Sequence, residues 1–182
     1  FDAHGRIVPG AALSWTTSDD GLVWTFNLDR NLFWSDGKAL NAHDFVYAFR
    51  RLQDPSTAAS LAYFMYMLKN AAAINAGDMP PETLGATATD DFTLTLTLDK
   101  PYPFLLERLL YPTAYPVPRH IIETHGELWT KPKNWVSNGA YVLSDWLPRA
   151  HIDMSQNEHF TNPGSIKHLR YIPVTSEQTA YN

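Results

Sequence analysis

The stretch "WSDGKALNAHDFVYAFRRL", residues 34–52, joins a tight polar turn to an amphipathic helix. Asp36-Gly37 is typical of a turn, because aspartate bonds to nearby backbone amides and glycine tolerates a positive φ. Asn41 suits the N-cap of the following helix, and Asp44 stands at its third position, where a carboxylate favours the helix N-terminus. Asp54-Pro55 predicts the end of this helix, since the residue before a proline avoids helical backbone. The helix carries an apolar face at helical spacing, made by Phe45, Val46, Phe49 and Leu52.

Strands are predicted on both sides of this helix. Residues 21–28, "GLVWTFNL", alternate apolar and polar side chains, which indicates a half-buried strand, and "NLFWS" (31–35) is expected to pair with it. Residues 85–101, "GATATDDFTLTLTLDKP", predict a hairpin that turns at Asp90-Asp91. Later in the chain the sequence predicts a helix over 119–129 and strands within 138–147, 150–157 and 166–174, after which Thr175 or Ser176 would cap a further helix.

Two apolar segments between these strands complete the expected architecture. Residues 58–76 predict a second helix, which stops at Gly77 and is apolar on nearly every side, so it is either buried or lines a cleft. A short helix over 104–110 is expected to open after Pro103. The proline-rich "YPTAYPVP" (111–118) predicts an extended segment, and a domain boundary is placed near its end.

Composition excludes several classes of protein. The 182 residues are 45% hydrophobic with a net charge of −5, so the chain can bury a core but lacks the basic face that nucleic acid requires. There is no cysteine, which excludes disulfides, thiol catalysis and cysteine-bound metals. No apolar run is long enough to span a membrane. The chain starts with Phe1 and stops where a helix is expected to begin, so both ends are expected to be cut from something longer.

No arrangement of residues predicts catalysis or a cofactor. The seven histidines include no His-x-x-x-His pair with a nearby acid, and no Gly-x-Ser-x-Gly or phosphate-binding glycine motif occurs. The carboxylate pairs Asp19-Asp20 and Asp90-Asp91 fall in turns, where turn chemistry explains them. The residues alone therefore predict an α+β chain that binds a ligand of unidentified kind, with no catalytic residue, metal or cofactor.

Several long segments resemble one known family, the solute-binding proteins of ABC peptide importers, family 5. The resemblance is carried in order by residues 20–58, which include "WSDGKALNAHDFVY", by residues 90–146 and by "LRYIPVTSEQTAYN". It is most similar to the periplasmic oligopeptide-binding proteins and their murein-tripeptide relatives. In this family the opening motif is scaffold: the resemblance implies that its Trp packs under the sheet while the helix braces the strands.

The resemblance implies a mixed-sheet α+β fold, a fragment of the type II (cluster C) periplasmic-binding-protein architecture. Family members are nearly three times as long. Residues 1–118 would correspond to a second domain inserted within the first, and residues 119–182 to one segment of that ligand-cradling first domain. The family's charged anchors for the peptide termini would lie outside this chain.

The resemblance also implies a candidate wall of the ligand cleft. A tyrosine that touches ligand in the family falls on Leu61 here, with Tyr63 two residues later, and a family histidine falls on Tyr111. Leu61, Tyr63, Tyr111 and Tyr115 are therefore the candidate ligand-binding residues. The alternative is that these side chains are packing or exposed rings.

The implied function is capture of oligopeptides and their delivery to the transmembrane subunits of an ABC permease. The implied location is the periplasm, or the outer face of the membrane through a lipid anchor. Alternatives are another solute (a dipeptide, a murein peptide, a nickel complex or haem) or, from a different class, a peptidase-like hydrolase or a purely structural module.

Overall fold

The computed structural model describes residues 4–174, which divide into two compact units. Unit 1 contains the described residues up to Arg30 together with Asn41–Arg119, and unit 2 contains Asn31–Leu40 together with the described residues from His120 onward. Mixed helices and antiparallel sheets confirm the predicted α+β class. The predicted division near Pro118 differs from this partition over Asn31–Leu40, which the structure assigns to the second unit.

Unit 1 is built on a four-stranded sheet in the order β1-β2-β4-β3, with every neighbouring pair antiparallel. Strand β2 buries Phe26 and Leu28, as its alternation predicted. Its predicted pairing with residues 31–35 is wrong, because β1 and β4 occupy its two edges. The sequence analysis missed β1, whose side chains are all exposed or half-buried. The strands are β1 (Ala12–Thr17), β2 (Val23–Leu28), β3 (Ala86–Asp90) and β4 (Thr93–Thr97).

Helix α1 (Ala42–Gln53) packs against β3 and β4 and confirms its predicted caps. The Asn41 side chain accepts the His43 N–H at 3.0 Å, and the Asp44 carboxylate accepts the Asn41 N–H at 3.1 Å. Amides that the first turn leaves without helical partners are satisfied in this way. The helix ends at Asp54, and its buried apolar side chains include Phe45, Val46 and Phe49.

The single helix predicted over 58–76 is wrong. The segment instead holds a 3₁₀ turn at Ala62–Met65 and a short helix, α2 (Ala71–Asn75). Left-handed backbone occurs at its first residue, Ala58 with φ 49°, and again within it at Asn70 with φ 66°, and such a conformation cannot continue a right-handed helix. The segment is also two-sided, because Ala62, Met65 and Leu68 are buried while Leu61, Tyr63 and Tyr66 are exposed.

The remainder of unit 1 largely follows the predictions. The hairpin of β3 and β4 is present, and helix α3 (Leu105–Arg108) follows Pro103. Residues 111–118 are not extended throughout, since Pro112–Ala114 form a 3₁₀ turn that begins, as such turns often do, at a proline. Two further 3₁₀ turns lie at Pro55–Thr57 and Pro81–Thr83.

Unit 2 contains an antiparallel sheet in the order β5-β6-β7, which confirms the three predicted strands. Their bounds are β5 (Tyr141–Leu147), β6 (His151–Gln156) and β7 (His168–Tyr171), and helix α4 (Arg119–His125) precedes them, followed by 3₁₀ turns at Gly126–Thr130 and Pro132–Asn134. The predicted caps Thr175 and Ser176 lie outside the described residues. None of the helices within 4–174 has the length and apolarity that a membrane crossing requires.

The opening turn joins Asn31–Leu40 to the rest of unit 2. Trp34 is only 1% exposed, and Gly37 takes a φ of 83° to close the turn beside it. Ser35 donates its N–H to the Ser137 carbonyl at 2.8 Å, and its hydroxyl accepts the Ser137 N–H at 3.2 Å. His120 Nε2 lies 2.7 Å from Asp36 Oδ2. Trp34 is therefore buried, as the scaffold role of this motif requires.

Candidate functional site

The four candidate residues named from the sequence all lie on the surface of unit 1. Tyr63 belongs to the 3₁₀ turn Ala62–Met65, which Leu61 immediately precedes, while Tyr111 and Tyr115 flank the turn at Pro112–Ala114. Their exposed fractions run from 48% to 57%. These two turns pack against each other, so residues about fifty positions apart reach the same surface.

Phe64 joins two of these four residues into one cluster. Its ring centroid lies 4.8 Å from that of Tyr63 and 5.4 Å from that of Tyr111, both in tilted arrangements that aromatic pairs favour. Tyr115 is held locally, since its hydroxyl donates to the Leu110 carbonyl at 3.1 Å. Leu61 takes part through its backbone, whose carbonyl accepts the Phe64 N–H at 3.1 Å.

A half-buried arginine completes the cluster. The guanidinium carbon of Arg108 lies 4.9 Å from the ring centroid of Phe64 and 5.5 Å from that of Tyr111, within the range of cation–π attraction. Arg108 Nη2 also donates to the Tyr102 hydroxyl at 3.2 Å. We call Tyr63, Phe64, Tyr102, Arg108 and Tyr111 together the aromatic wall.

The aromatic wall carries a positive charge that no acidic side chain offsets. Among residues 4–174, Arg108 forms no ion pair, and the Tyr102 hydroxyl is its hydrogen-bond partner. The whole chain carries a net charge of −5, so this positively charged surface differs in sign from the chain as a whole. Such a surface can hold apolar groups against its rings and accept a hydrogen-bonding or negatively charged group at the guanidinium.

Sequence reasoning missed Phe64, Tyr102 and Arg108 as members of this surface. The prediction of a single helix over 58–76 did not place Phe64 beside Tyr63, because neighbouring residues of a helix point in different directions. Tyr102 and Arg108 are six residues apart, a spacing that gives no shared face on a regular helix. They meet because α3 begins only at Leu105, after Tyr102. The one available signal was a base within the otherwise apolar "FLLERLL".

Unit 1 also contains a hollow that is lined almost entirely by apolar side chains. It encloses about 170 Å³ and is lined by the segment before β1, by β1, β2 and α1, and by the residues around α3. Apart from the indole N–H of Trp15, its lining side chains carry no polar group. A ligand site normally adds a few polar groups that orient the ligand, so this hollow is a weaker candidate than the aromatic wall.

Unit 2 holds the one group of potential metal ligands found among the described residues, namely Asp145, His151 and Asp153. His151 Nε2 lies 2.9 Å from Asp145 Oδ2, and Asp145 and Asp153 are cross-strand partners of β5 and β6. Arg170 of β7 donates two hydrogen bonds to the Asp153 carboxylate, both at 2.6 Å, and this pairing lowers the pKa of Asp153. An ion-pair row across the sheet accounts for these residues. The sequence did not predict this group, because strand register brings Asp145, His151 and Asp153 together and the His-x-x-x-His motif applies only to helices.

Comparisons with known proteins all give bacterial extracellular or periplasmic binding proteins. Residues 6–182 match the family described as bacterial extracellular solute-binding proteins, family 5 Middle. The periplasmic oligopeptide-binding protein OppA of Salmonella typhimurium is 39% identical, with 100% of this chain and 34% of that protein covered. The probable deoxycholate-binding periplasmic protein YgiS of Escherichia coli is 38% identical, covering 100% and 35%. The solved structure of Burkholderia pseudomallei OppA superposes with a TM-score of 0.92 at 37% identity, covering 99% of this chain and 36% of that one. The chain thus spans about a third of the length of these relatives.

Proposed function

Because the chain belongs to the bacterial extracellular solute-binding proteins of family 5, we propose that it is part of the peptide-capturing component of an ABC importer. In this role the protein binds oligopeptides outside the cytoplasmic membrane and delivers them to the transmembrane subunits of a permease. The names of its OppA relatives support the periplasm as the location. A lipid anchor would be the alternative means of holding it at the membrane.

The aromatic wall is the observation that carries this proposal. Three exposed or half-buried rings, those of Tyr63, Phe64 and Tyr111, form a continuous surface that can pack against peptide side chains of many kinds. Peptide binders of broad specificity hold the backbone by hydrogen bonds and leave the side chains in roomy, hydrated pockets. Such a wall contributes apolar contact without requiring one particular sequence.

The two compact units support a division of labour between them. We infer that unit 1 corresponds to the inserted domain of the family and unit 2 to part of the ligand-cradling domain. The aromatic wall lies entirely in unit 1. Hinge closure of domains around a ligand is the usual way in which proteins of this kind trap a solute and present a recognisable closed form to a partner. This function needs no covalent chemistry, so we propose that the protein is not an enzyme.

Isothermal titration calorimetry with tri- to pentapeptides tests the proposal on the protein expressed from its complete gene. We expect a Kd in the micromolar range or tighter, about −8 kcal/mol of binding free energy. Residues 1–182 alone should show no sub-micromolar binding, because one wall of contacts offsets only part of the cost of ordering a peptide. Finding cleavage products after incubation with a peptide mixture would favour the hydrolase instead.

Variants of the aromatic wall separate this site from the rest of the surface. Tyr63→Ala combined with Tyr111→Ala should weaken peptide binding. Leu13→Ala removes an apolar side chain of similar exposure from β1 of the same unit, outside the aromatic wall, and serves as the control. Peptide binding that the double variant leaves unchanged would overturn the assignment of the wall.

A second candidate is an amphipathic ring compound that carries a carboxylate. The relative named as a probable deoxycholate-binding protein motivates it, and the aromatic wall offers both apolar rings and a guanidinium. Titration with deoxycholate in the same calorimeter decides between the two. Strong heats with deoxycholate and none with any peptide would replace the first proposal by the second.

A further inference from the structure

We propose that Arg108 is a specificity-determining residue that receives a carboxylate of the bound ligand. This inference rests on the proposed peptide-binding function and adds a chemical preference to it: peptides that present a carboxylate at the aromatic wall should bind better than their neutral counterparts.

Arg108 uses little of its hydrogen-bonding capacity within the described residues. A guanidinium carries five N–H donors, and within the described part of the chain only the Tyr102 hydroxyl accepts from it. The other nitrogens of Arg108 are not among the buried atoms that lack a partner, so their N–H groups are accessible and available to a ligand. The guanidinium is held in place by its contacts with the rings of Phe64 and Tyr111.

A second hydrogen-bond donor, the Tyr102 hydroxyl, lies beside the guanidinium of Arg108. The Tyr102 hydroxyl accepts from Arg108 at 3.2 Å, and its own hydrogen finds no acceptor among residues 4–174. Two neighbouring groups, a guanidinium and a hydroxyl, are therefore both rich in donors and short of acceptors. The chemical group that satisfies both is an anion with several acceptor oxygens, and a carboxylate matches the guanidinium fork in two parallel hydrogen bonds.

The surroundings of Arg108 would strengthen its contact with a carboxylate. The rings around Arg108 exclude part of the solvent, and a charge pair gains strength where water is partly excluded. Arginine is also well suited to this position, because it hydrates weakly and stacks on aromatic rings while its N–H groups remain able to bond. A lysine would keep the charge but would lose the two-pronged geometry.

The carboxylate of a peptide has two possible sources, an acidic side chain or the C-terminus, and matched peptides distinguish them. The test measures Kd by calorimetry, with the protein expressed from its complete gene. Four tetra-alanine variants that carry glutamate at each position in turn are compared with the same peptides carrying glutamine. Each pair is measured with a free C-terminus and with an amidated one.

We expect at least one glutamate peptide to bind about tenfold tighter than its glutamine partner, the effect of one charge-assisted hydrogen-bonded contact. Arg108→Gln should abolish that preference, so that the glutamate and glutamine peptides then bind with the same Kd, and Arg108→Lys should restore only part of it. If the C-terminus is the source, amidation instead removes the Arg108-dependent gain. Arg30→Gln is the matched control, because Arg30 also lies over a ring, that of Phe92, at 4.7 Å, and its loss changes the net charge equally.

The outcomes separate this inference from the proposed function. Absence of binding for every peptide would overturn the proposed function itself. Peptides that bind with equal Kd in their glutamate, glutamine and amidated forms, or a preference that Arg108→Gln leaves intact, would overturn the role of Arg108 while leaving peptide capture in place.

Discussion

The two units differ sharply in how completely they cover their own apolar residues. In the described chain only four buried apolar side chains belong to unit 2, namely Trp34, Leu40, Ile122 and Leu143, and all the others belong to unit 1. Unit 2 exposes about half or more of Trp146, Leu147, Tyr171 and Ile172 along its sheet. Burial of apolar surface is the main favourable term in folding, so unit 1 has the larger share of the stability within this chain.

Neither unit is a single continuous stretch of the chain, because each combines two separate segments. Unit 1 places helix α1 over β3 and β4 and covers one face of its sheet with it. Unit 2 includes a ten-residue segment, Asn31–Leu40, that lies between β2 and α1 in the sequence.

Trp34→Ala should destabilise unit 2 by about 3–5 kcal/mol, because a buried tryptophan leaves a large cavity when truncated. Trp146→Ala, in the same unit but 48% exposed, should cost less than about 1 kcal/mol. Leu61→Ala in unit 1, also 48% exposed, should cost similarly little. Urea unfolding followed by circular dichroism measures all three, and equal shifts of the midpoints would contradict the assignment of Trp34 to the core.

Amide hydrogen exchange should be faster across β5, β6 and β7 than across β2 and β4. The outer strands β5 and β7 have bare edges within the described residues, whereas β2 and β4 each pair on both sides. The middle strand β6 also pairs on both sides, but all its residues are only half-buried, while β2 and β4 bury Phe26, Leu28, Leu94 and Leu96. Local opening of the less covered sheet should therefore cost less free energy, and we expect a difference of about tenfold or more in exchange rate. Uniform protection in a demonstrated monomer would mean that unit 2 is as self-sufficient as unit 1. Self-association through the bare edges is the accompanying expectation.

Asn41→Ala should cost unit 1 about 1 kcal/mol, since the Asn41 side chain satisfies an amide of the first turn of α1. Asn41→Asp is the conservative control, because it preserves the accepting oxygen. Thermal unfolding of the three proteins checks this, and a full loss in the Asp variant would show that the cap oxygen is not the cause.

The smallest predicted effect is a dependence on pH in unit 2. Burial raises the pKa of Asp36, but hydrogen bonds from His120 and the Lys38 N–H outweigh it, so this pKa lies below its ordinary value. A carboxyl with a lowered folded-state pKa contributes stability above its unfolded pKa of about 4, and that stability is lost as pH falls through the folded value. Wild-type protein should therefore lose more stability below about pH 4 than Asp36→Asn does. Parallel urea titrations at falling pH would contradict this if the two curves keep a constant separation.

Local signals predicted much of the fold, and the misses share a physical origin. Helix α1, its caps, the β3–β4 hairpin and the strands of unit 2 follow from periodicity and capping chemistry, which act within a few residues. The structure of the 58–76 segment does not follow from local signals, because Ala58 and Asn70 adopt left-handed backbone. Alanine rarely adopts this conformation, so nothing in the sequence indicates it at residue 58. Asn70 is held there by a tertiary bond, its Nδ2 donating to the Thr83 carbonyl at 2.8 Å.

The candidate site was predictable only in part for a related reason. The structure links Tyr63 and Tyr111 through Phe64, but the resemblance supplied the first two and could not supply the third. The position of Arg108 depends on where α3 begins, and on the packing of two 3₁₀ turns that are separated in sequence. Such contacts are set by tertiary structure, to which residue spacing gives no guide.

Because Asn31–Leu40 precedes the rest of unit 2 in the chain, unit 2 cannot be completed until late in synthesis. On the ribosome it emerges before Asn41–Arg119, yet its partners Ser137 and His120 come only afterwards. At the usual rate of about 5–20 residues per second, the 79 intervening residues take roughly 4–16 s to be made. For that interval the indole of Trp34 has no finished unit to enter. Burial of Trp34 therefore has to wait until the chain beyond Arg119 has been made.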